Sequence, residues 1–388
     1  MPTSSLVRLT VPPMLYFESN IPSNNLGFPM KLLASSVPRS LTCGLLLATG
    51  AISWSGSEFC PTLFHATLEA QDNATKQATP PKNLGSLEVL DPAFEQLVDP
   101  TEKIEVLGSG FDWSEGPVWQ PESQRLLFSD IPRNQILQWQ DGKPVSVYQE
   151  RVGYTGDPQE GGREPGTNGL FLSPTGQLYA CCHGDRCIKR QNEDGQWEVV
   201  VDRYDGKRFN SPNDLVFHSN GDLYFTDPPY GTPAGQKREL DYCGVYRWDG
   251  QEVTLMTKEL KRPNGIGFSP DFQTLYVAQS DGEAPIWMAY PLKEDGSLKP
   301  GHVLADAKDF YGKVPGSPDG MTVDQSGNLW VTAPGGVWAL SPKGKVLGKV
   351  LTGQATANCT FGGPDGSWLL ITADMYLCRL KTKTHGMK

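Results

Sequence analysis

The chain has 388 residues, which is enough for one large domain or two ordinary ones. Its 42 Gly and 32 Pro favour many short strands and tight turns over long helices. A formal net charge of −10 and the lack of a basic stripe argue against a nucleic-acid-binding protein, because that affinity needs clustered positive charge.

Residues 1–56 are predicted to be a leader that carries a signal peptide. A weakly basic start at Met30–Arg39 precedes a short apolar run at Leu41–Ile52. That run falls short of the roughly 20 apolar residues that a membrane span needs, and it suits a signal-peptide core. We therefore expect export to the periplasm or the cell exterior, with Met30 as an alternative start. Stable membrane insertion after signal removal is not expected, and an uncleaved anchor is the alternative.

Residues 57–96 are predicted to be a linker, and residues 97–388 a single folded domain. The linker prediction depends on residues 67–85, which are polar, contain Pro and lack an apolar period. From about Ile104 onward, short apolar or alternating runs are separated by turn residues.

The eight cysteines do not indicate a disulfide framework. Cys43 is expected to leave with the signal peptide, which leaves an odd number. Cys181, Cys182 and Cys187 lack the second ligand pair that a zinc site needs. We expect most of these side chains to be buried and apolar in character.

Six similar segments repeat through the domain, each with a polar first residue, an apolar run, a turn and a second apolar run. The first residues, here called the lead residues, are Glu115, Asn168, Asn213, Asn264, Asp319 and Asn358. They are about 40 to 55 residues apart, which is the repeat length of β-propeller blades. A β-sandwich would not explain the recurrent lead residue. The sequence therefore predicts an all-β, six-bladed β-propeller.

In a propeller, equivalent positions of successive blades are related by rotation about the central channel. The six lead residues are therefore expected to form a ring of carboxylate and carboxamide oxygens at the mouth of that channel. Oxygen ligands without sulfur or nitrogen favour Ca²⁺, and Mg²⁺ or Mn²⁺ less strongly. The alternative is that the Asn-Gly and Asp-Gly pairs are turn formers whose side chains bond their own backbone.

Several motifs resemble the gluconolactonase/regucalcin family. They occur in chain order over about residues 108–380: EGPVW at 115–119, SPND at 211–214, FTDPPYG at 225–231, PNGIGFSP at 263–270, PDGM at 318–321 and FGGPD at 361–365. FTDPPYG resembles the bacterial gluconolactonase branch in particular.

The resemblance implies a propeller that hydrolyses sugar lactones with an axial divalent metal. The implied metal ligands are Glu115, Asn264 and Asp319, with Asn213 as a fourth ligand or as a substrate contact through water. Ca²⁺ is the first expectation, and Mg²⁺, Mn²⁺ or Zn²⁺ are alternatives. Asn168 and Asn358 match positions that vary in the family.

The implied catalytic residue is Asp319, acting as the general base. His183 follows Asn168 by one strand and is the alternative base. Asn213, Asn168 and His183 are the candidate substrate-binding residues, although a purely structural histidine is the competing interpretation of His183.

The predicted partner is a small-molecule sugar lactone or ester. A hydrolase of other esters or phosphotriesters at the same metal site is an alternative, as is a non-catalytic propeller that binds calcium or a sugar. Arg133, Arg163 and Tyr230 are further candidates for substrate contacts from the loops. The sequence does not predict an oligomeric state.

Overall fold

The computed structural model describes residues 80–232 and 236–387. The predicted leader, its signal peptide, Cys43 and the first part of the linker lie outside these residues, so export stays a prediction. The described part contains no helix that is both long and apolar enough to span a membrane.

The chain forms six antiparallel sheets arranged as the blades of a β-propeller, which confirms the predicted all-β class and blade number. Three strands come before the first blade: β1 (Asn83–Leu84), β2 (Ser86–Val89) and β3 (Ile104–Ser109). Blade 1 contains β4 (Ser114–Gln120), β5 (Arg125–Asp130), β6 (Gln135–Trp139) and β7 (Ser146–Glu150). Blade 2 contains β8 (Thr167–Leu172), β9 (Leu178–Cys182), β10 (Cys187–Gln191) and β11 (Trp197–Val201).

A small hairpin, β12 (Arg203–Tyr204) and β13 (Lys207–Arg208), precedes blade 3. Blade 3 contains β14 (Leu215–Phe217), β15 (Leu223–Asp227), β16 (Gly244–Trp248) and β17 (Val253–Thr257). Blade 4 contains β18 (Pro263–Phe268), β19 (Thr274–Gln279), β20 (Ile286–Pro291) and β21 (His302–Asp306). Blade 5 contains β22 (Met321–Val323), β23 (Leu329–Ala333), β24 (Gly336–Leu340) and β25 (Val346–Leu351). Blade 6 contains β26 (Thr356–Gly362), β27 (Trp368–Ala373) and β28 (Tyr376–Lys381). Two 3₁₀ helices span Pro92–Gln96 and Pro158–Glu160.

Each predicted repeat forms the two inner strands of one blade. The turns between these strands use glycines with positive φ, such as Gly176 at 82° and Gly327 at 82°, a conformation that costs other residues energy. The innermost strands contact one another in a closed series: β4, β8, β14, β18, β22, β26 and again β4. Their first residues therefore surround one axis.

The amino-terminal strands close the ring. Strand β3 pairs with β28 and becomes the fourth strand of blade 6, with β1 outside it, while β2 pairs with β25 at the edge of blade 5. Phe94 is fully buried and packs against Trp330, with 6.4 Å between ring centroids. The sequence predicts a linker up to residue 96, but residues 83–96 form part of the propeller. Their short strands carry too little local pattern to show this pairing.

Candidate metal and substrate site

All six lead residues lie where an innermost strand begins. Glu115, Asn168 and Asn264 are the second residues of β4, β8 and β18, and Asn358 is the third residue of β26. Asn213 and Asp319 stand just before β14 and β22. Because the six strands contact in a closed series, the structure brings the lead residues together around the axis.

The ring is largely buried. Five of the lead residues are 2–6% exposed, and Asp319 is half-buried. The Oδ1 atoms of Asp319 and Asn168 are buried and have no hydrogen-bond partner among the described residues. Unpaired polar atoms are costly in such a position, so both oxygens are available to a ligand.

The glycines that follow the lead residues allow neighbouring blades to approach closely. The Gly169 amide donates to the Asn213 carbonyl at 2.8 Å, and the Gly265 amide donates to the Asp319 carbonyl at 3.1 Å. A Cβ atom at Gly265 would lie 2.2 Å from that carbonyl oxygen. The Asn-Gly and Asp-Gly dipeptides therefore lie in strands or at contacts between blades, and the turn-former alternative does not account for them. It holds in part for Asn358, whose Oδ1 accepts from the Cys359 amide at 2.8 Å.

Gly265→Ala is therefore expected to lower the free energy of unfolding by about 1–3 kcal/mol, the usual cost of overpacking. The added methyl group would meet the rigid Asp319 carbonyl and force blades 4 and 5 apart. Chemical denaturation measures this loss. Gly267→Ala is the matched control on the same strand, because its Cβ would make only ordinary contacts with Met321 at 3.6 Å. Equal stability of the two variants would contradict the close-approach role.

Three carboxyl groups lie at the axis and repel one another. Burial raises the pKa of Glu115 to about 8 and that of Asp214 to about 7. The pKa of Asp319 is also raised, first by burial and then by the negative charges of Glu115, Asp214 and Glu164. Such a cluster favours a bound cation, which would offset this repulsion.

The donor chemistry fits a divalent metal of the hard-oxygen type. The predicted ligands Glu115, Asn213, Asn264 and Asp319 offer two carboxylates and two carboxamides, and no sulfur. In residues 80–232 and 236–387, no three His, Cys, Asp or Glu side chains are grouped as a metal site. A metal site at the axis would therefore depend on carboxamide oxygens as ligands. These side chains do not determine which metal binds.

His183 is fully buried between two lead residues. Its Nε2 lies 3.3 Å from Nδ2 of Asn168 and 3.4 Å from Nδ2 of Asn213. Burial lowers the pKa of His183 to about 4, so the ring is neutral at pH 7 and its Nε2 can accept from both amides. This interaction directs the two amide nitrogens towards the imidazole and leaves the carboxamide oxygens for other partners.

Asn264 is held by its neighbours. Its Nδ2 donates to Ser280 Oγ at 2.9 Å, and that hydroxyl donates to the Pro318 carbonyl at 2.6 Å. The Tyr230 hydroxyl lies near the side chains of Ser280 and Asn264, which lower its pKa, but burial dominates and raises the pKa of Tyr230 to about 12. Tyr230 therefore lies beside the ring, and its contact with a substrate stays a prediction.

The other two loop candidates, Arg133 and Arg163, have different surroundings. Arg133 is bonded to the Gly110 carbonyl at 2.8 Å and to Asp112 at 2.6 Å, so its guanidinium already has partners. Arg163 does not contact a lead residue in the described structure; its charge lowers the pKa of Glu164, which burial raises.

Sequence reasoning missed three residues of the site: Asp214, Glu164 and Ser280. The sequence does mark Asp214, because Gly follows four of the other lead residues whereas an acidic residue follows Asn213. Its carboxylate accepts from the Leu215 amide at 2.9 Å, and a Cβ at Gly169 would lie 2.6 Å from Asp214 Oδ1. Glu164 and Ser280 lie in loops outside the repeat, so no sequence pattern indicated them.

Comparison with known proteins agrees with this architecture. Residues 113–374 match the SMP-30/Gluconolactonase/LRE-like region. The gluconolactonase of Zymomonas mobilis is 38% identical over 83% of this chain and 93% of its own length. The pentonolactonase XacC of Haloferax volcanii is 26% identical over 66% of this chain and 80% of its own.

A solved gluconolactonase from Xanthomonas campestris superimposes with a TM-score of 0.68 and 32% identity, over 78% of this chain and 98% of that one. The matched region includes all six lead residues, blades 1–5 and strands β26 and β27 of blade 6. The chain therefore belongs to the SMP-30/gluconolactonase/LRE-like family.

Proposed function

We propose that this protein, a hydrolase of carboxylic ester bonds of the lactonase type, opens a sugar lactone at the axial ring. The observation that carries the proposal is the convergence of buried Glu115 with Asp319 and Asn168, whose Oδ1 atoms are buried and have no partner among the described residues. Relatives named gluconolactonase and pentonolactonase support a sugar lactone as the substrate class.

Glu115, Asn213, Asn264 and Asp319 would hold the divalent cation, with Ca²⁺ first and Mg²⁺, Mn²⁺ or Zn²⁺ as alternatives. When bound, such a cation supplies Lewis-acid polarisation of the lactone carbonyl. Two carboxylates would offset the charge of the cation, and the carboxamides add ligands without adding negative charge.

Asp319 is the proposed general base. Its carboxylate takes a proton from the attacking water as the oxygen bonds to the carbonyl carbon. The ester C–O bond then breaks, and the same carboxyl group returns the proton to the leaving oxygen. Asn168 and His183 bind the substrate hydroxyl groups beside the reacting carbon, with a substrate contact through water as the alternative role of Asn213, and neutral His183 keeps both amides oriented.

The test is hydrolysis of glucono-1,5-lactone by the purified protein. Chelated protein is compared with protein that is given Ca²⁺, Mg²⁺, Mn²⁺ or Zn²⁺, and spontaneous ring opening is subtracted. We expect turnover to be lost on chelation and restored by at least one of these cations. Full turnover by the chelated protein would overturn the metal requirement. Tight metal binding without turnover would favour another ester or a phosphotriester, or a binding-only propeller.

A further inference from the structure

Two cysteines lie opposite each other at the end of the β9–β10 hairpin. Cys182 is the last residue of β9, Cys187 is the first residue of β10, and the two are direct partners in the antiparallel register. Such partners have Cα atoms about 4.5 or 5.5 Å apart. Both values fall inside the roughly 4.4–6.8 Å range that a disulfide needs.

Cys181 is adjacent in sequence but faces the opposite side of the sheet. Cys182 and Cys187 pack in one apolar cluster, between blades 1 and 2. Cys181 packs in another cluster, which contains Leu215 and Phe225 of blade 3. The alternation of side chains along β9 therefore separates Cys181 from the pair. All three are buried free thiols in this structure, as expected from the sequence.

The surroundings of the pair suit an uncharged disulfide. Burial and contact with the Cys187 thiol raise the pKa of Cys182 well above its usual range. The Cys182 Sγ lies 3.6 Å from the Val152 carbonyl oxygen, and Lys189 Nζ donates to the same oxygen at 2.7 Å. Lys189 also donates to Asp185 at 2.6 Å, within the turn that connects the two cysteines. A disulfide carries no charge, so this pocket would hold it without the desolvation cost of a thiolate.

We propose that Cys182 and Cys187 form a reversible intramolecular disulfide, which links the two ends of the turn that carries His183. The oxidant is an external low-molecular-weight disulfide such as oxidised glutathione. One cysteine thiolate attacks it, forms a mixed disulfide and releases one glutathione thiolate. The second cysteine attacks the protein sulfur of that mixed disulfide and releases the other. Both electrons thus pass to glutathione, and the two protons complete its thiols.

Peptide mapping of the full-length protein tests this bond without reference to activity. Protein is incubated natively with oxidised glutathione, and a second sample is unfolded and refolded in the same reagent. The remaining thiols are alkylated, and the protein is then digested with trypsin in the absence of a reductant. Because Arg186 stands between the cysteines, trypsin separates them into a peptide that ends at Arg186 and the peptide Cys187–Lys189. We expect these peptides to be joined, and to separate after treatment with dithiothreitol.

Three variants assign the sulfur atoms. Cys181→Ala, which removes the other thiol of the same tryptic peptide, should keep the joined peptides. Cys182→Ala and Cys187→Ala should each lose them. The melting temperature should fall on reduction in the wild type and in Cys181→Ala, but not in Cys182→Ala or Cys187→Ala. Because each protein is compared with its own reduced form, the comparison holds even where a variant is less stable. Alkylated, separate peptides in both the native and the refolded samples would overturn the proposal, as would a bond that needs Cys181.

Discussion

Glu115→Ala is expected to abolish tight metal binding and to lower turnover of the lactone by more than about 100-fold. Removing a group that merely supports a metal ligand lowers metal affinity or activity by about 10–100-fold, so the loss of a charged ligand should lower them further. Glu115 supplies one of the two carboxylates among the predicted ligands, and its side chain is only 2% exposed. Calorimetric titration with Ca²⁺ measures binding, and lactone hydrolysis at saturating substrate measures turnover.

Two further variants separate this effect from a loss of folding. Glu122→Ala is the matched control, because Glu122 is exposed in the turn between β4 and β5. Glu115→Gln keeps the shape of the side chain but removes a charge that burial and Asp214 disfavour. The metal-free Gln variant should therefore melt no earlier than the wild type, although it should lose metal. Unchanged metal affinity in both Glu115 variants would remove this residue from the ligand set.

Asp319→Asn is expected to reduce kcat by at least about 100-fold, the lower end for the loss of general-base catalysis. The amide has nearly the shape of the carboxylate but cannot take a proton from water. Asp319 is suited to that role because its Oδ1 has no protein partner in the described structure. The measurement is kcat at saturating metal and lactone, after titration shows that metal still binds.

His183→Gln discriminates between the two candidate bases. The imidazole Nε2 already faces two amide groups, and its pKa is lowered to about 4, so we expect His183 to position Asn168 and Asn213. Its replacement should raise KM more than it lowers kcat. A large loss of kcat in His183→Gln, with near-normal kcat in metal-loaded Asp319→Asn, would reverse the assignment.

The repeat made the fold predictable from sequence. Each segment combines a lead residue, a strand, a glycine turn and a second strand, and all these features are local. Six such hairpins can bury their apolar faces only against one another, so their number predicts the number of blades. The lead residues follow from the same argument, since rotation places equivalent positions around one axis. The sequence therefore predicts the convergence of Glu115 with Asp319.

Other features of the fold and of the site depend on contacts between distant segments. The Arg379 side chain bonds Glu105 at 2.7 Å across 274 residues of sequence, where β3 completes blade 6. No periodicity in residues 83–109 shows which sheet those strands join. The glycines after the lead residues also have a different role from the one their dipeptides indicate, because the clash that they avoid lies on the neighbouring blade.

The sequence by itself determined the strand pattern, the number of blades and the oxygen-rich character of the ring, because these follow from residue type and spacing. Only the tertiary structure showed that Asp214 and Glu164 add their charges to that ring, that His183 orients two amides and that Cys182 faces Cys187. The physical reason is that burial, electrostatic repulsion and hydrogen bonding depend on distances in space. Those distances are fixed by the pairing of the strands within each blade and by the contacts among the innermost strands.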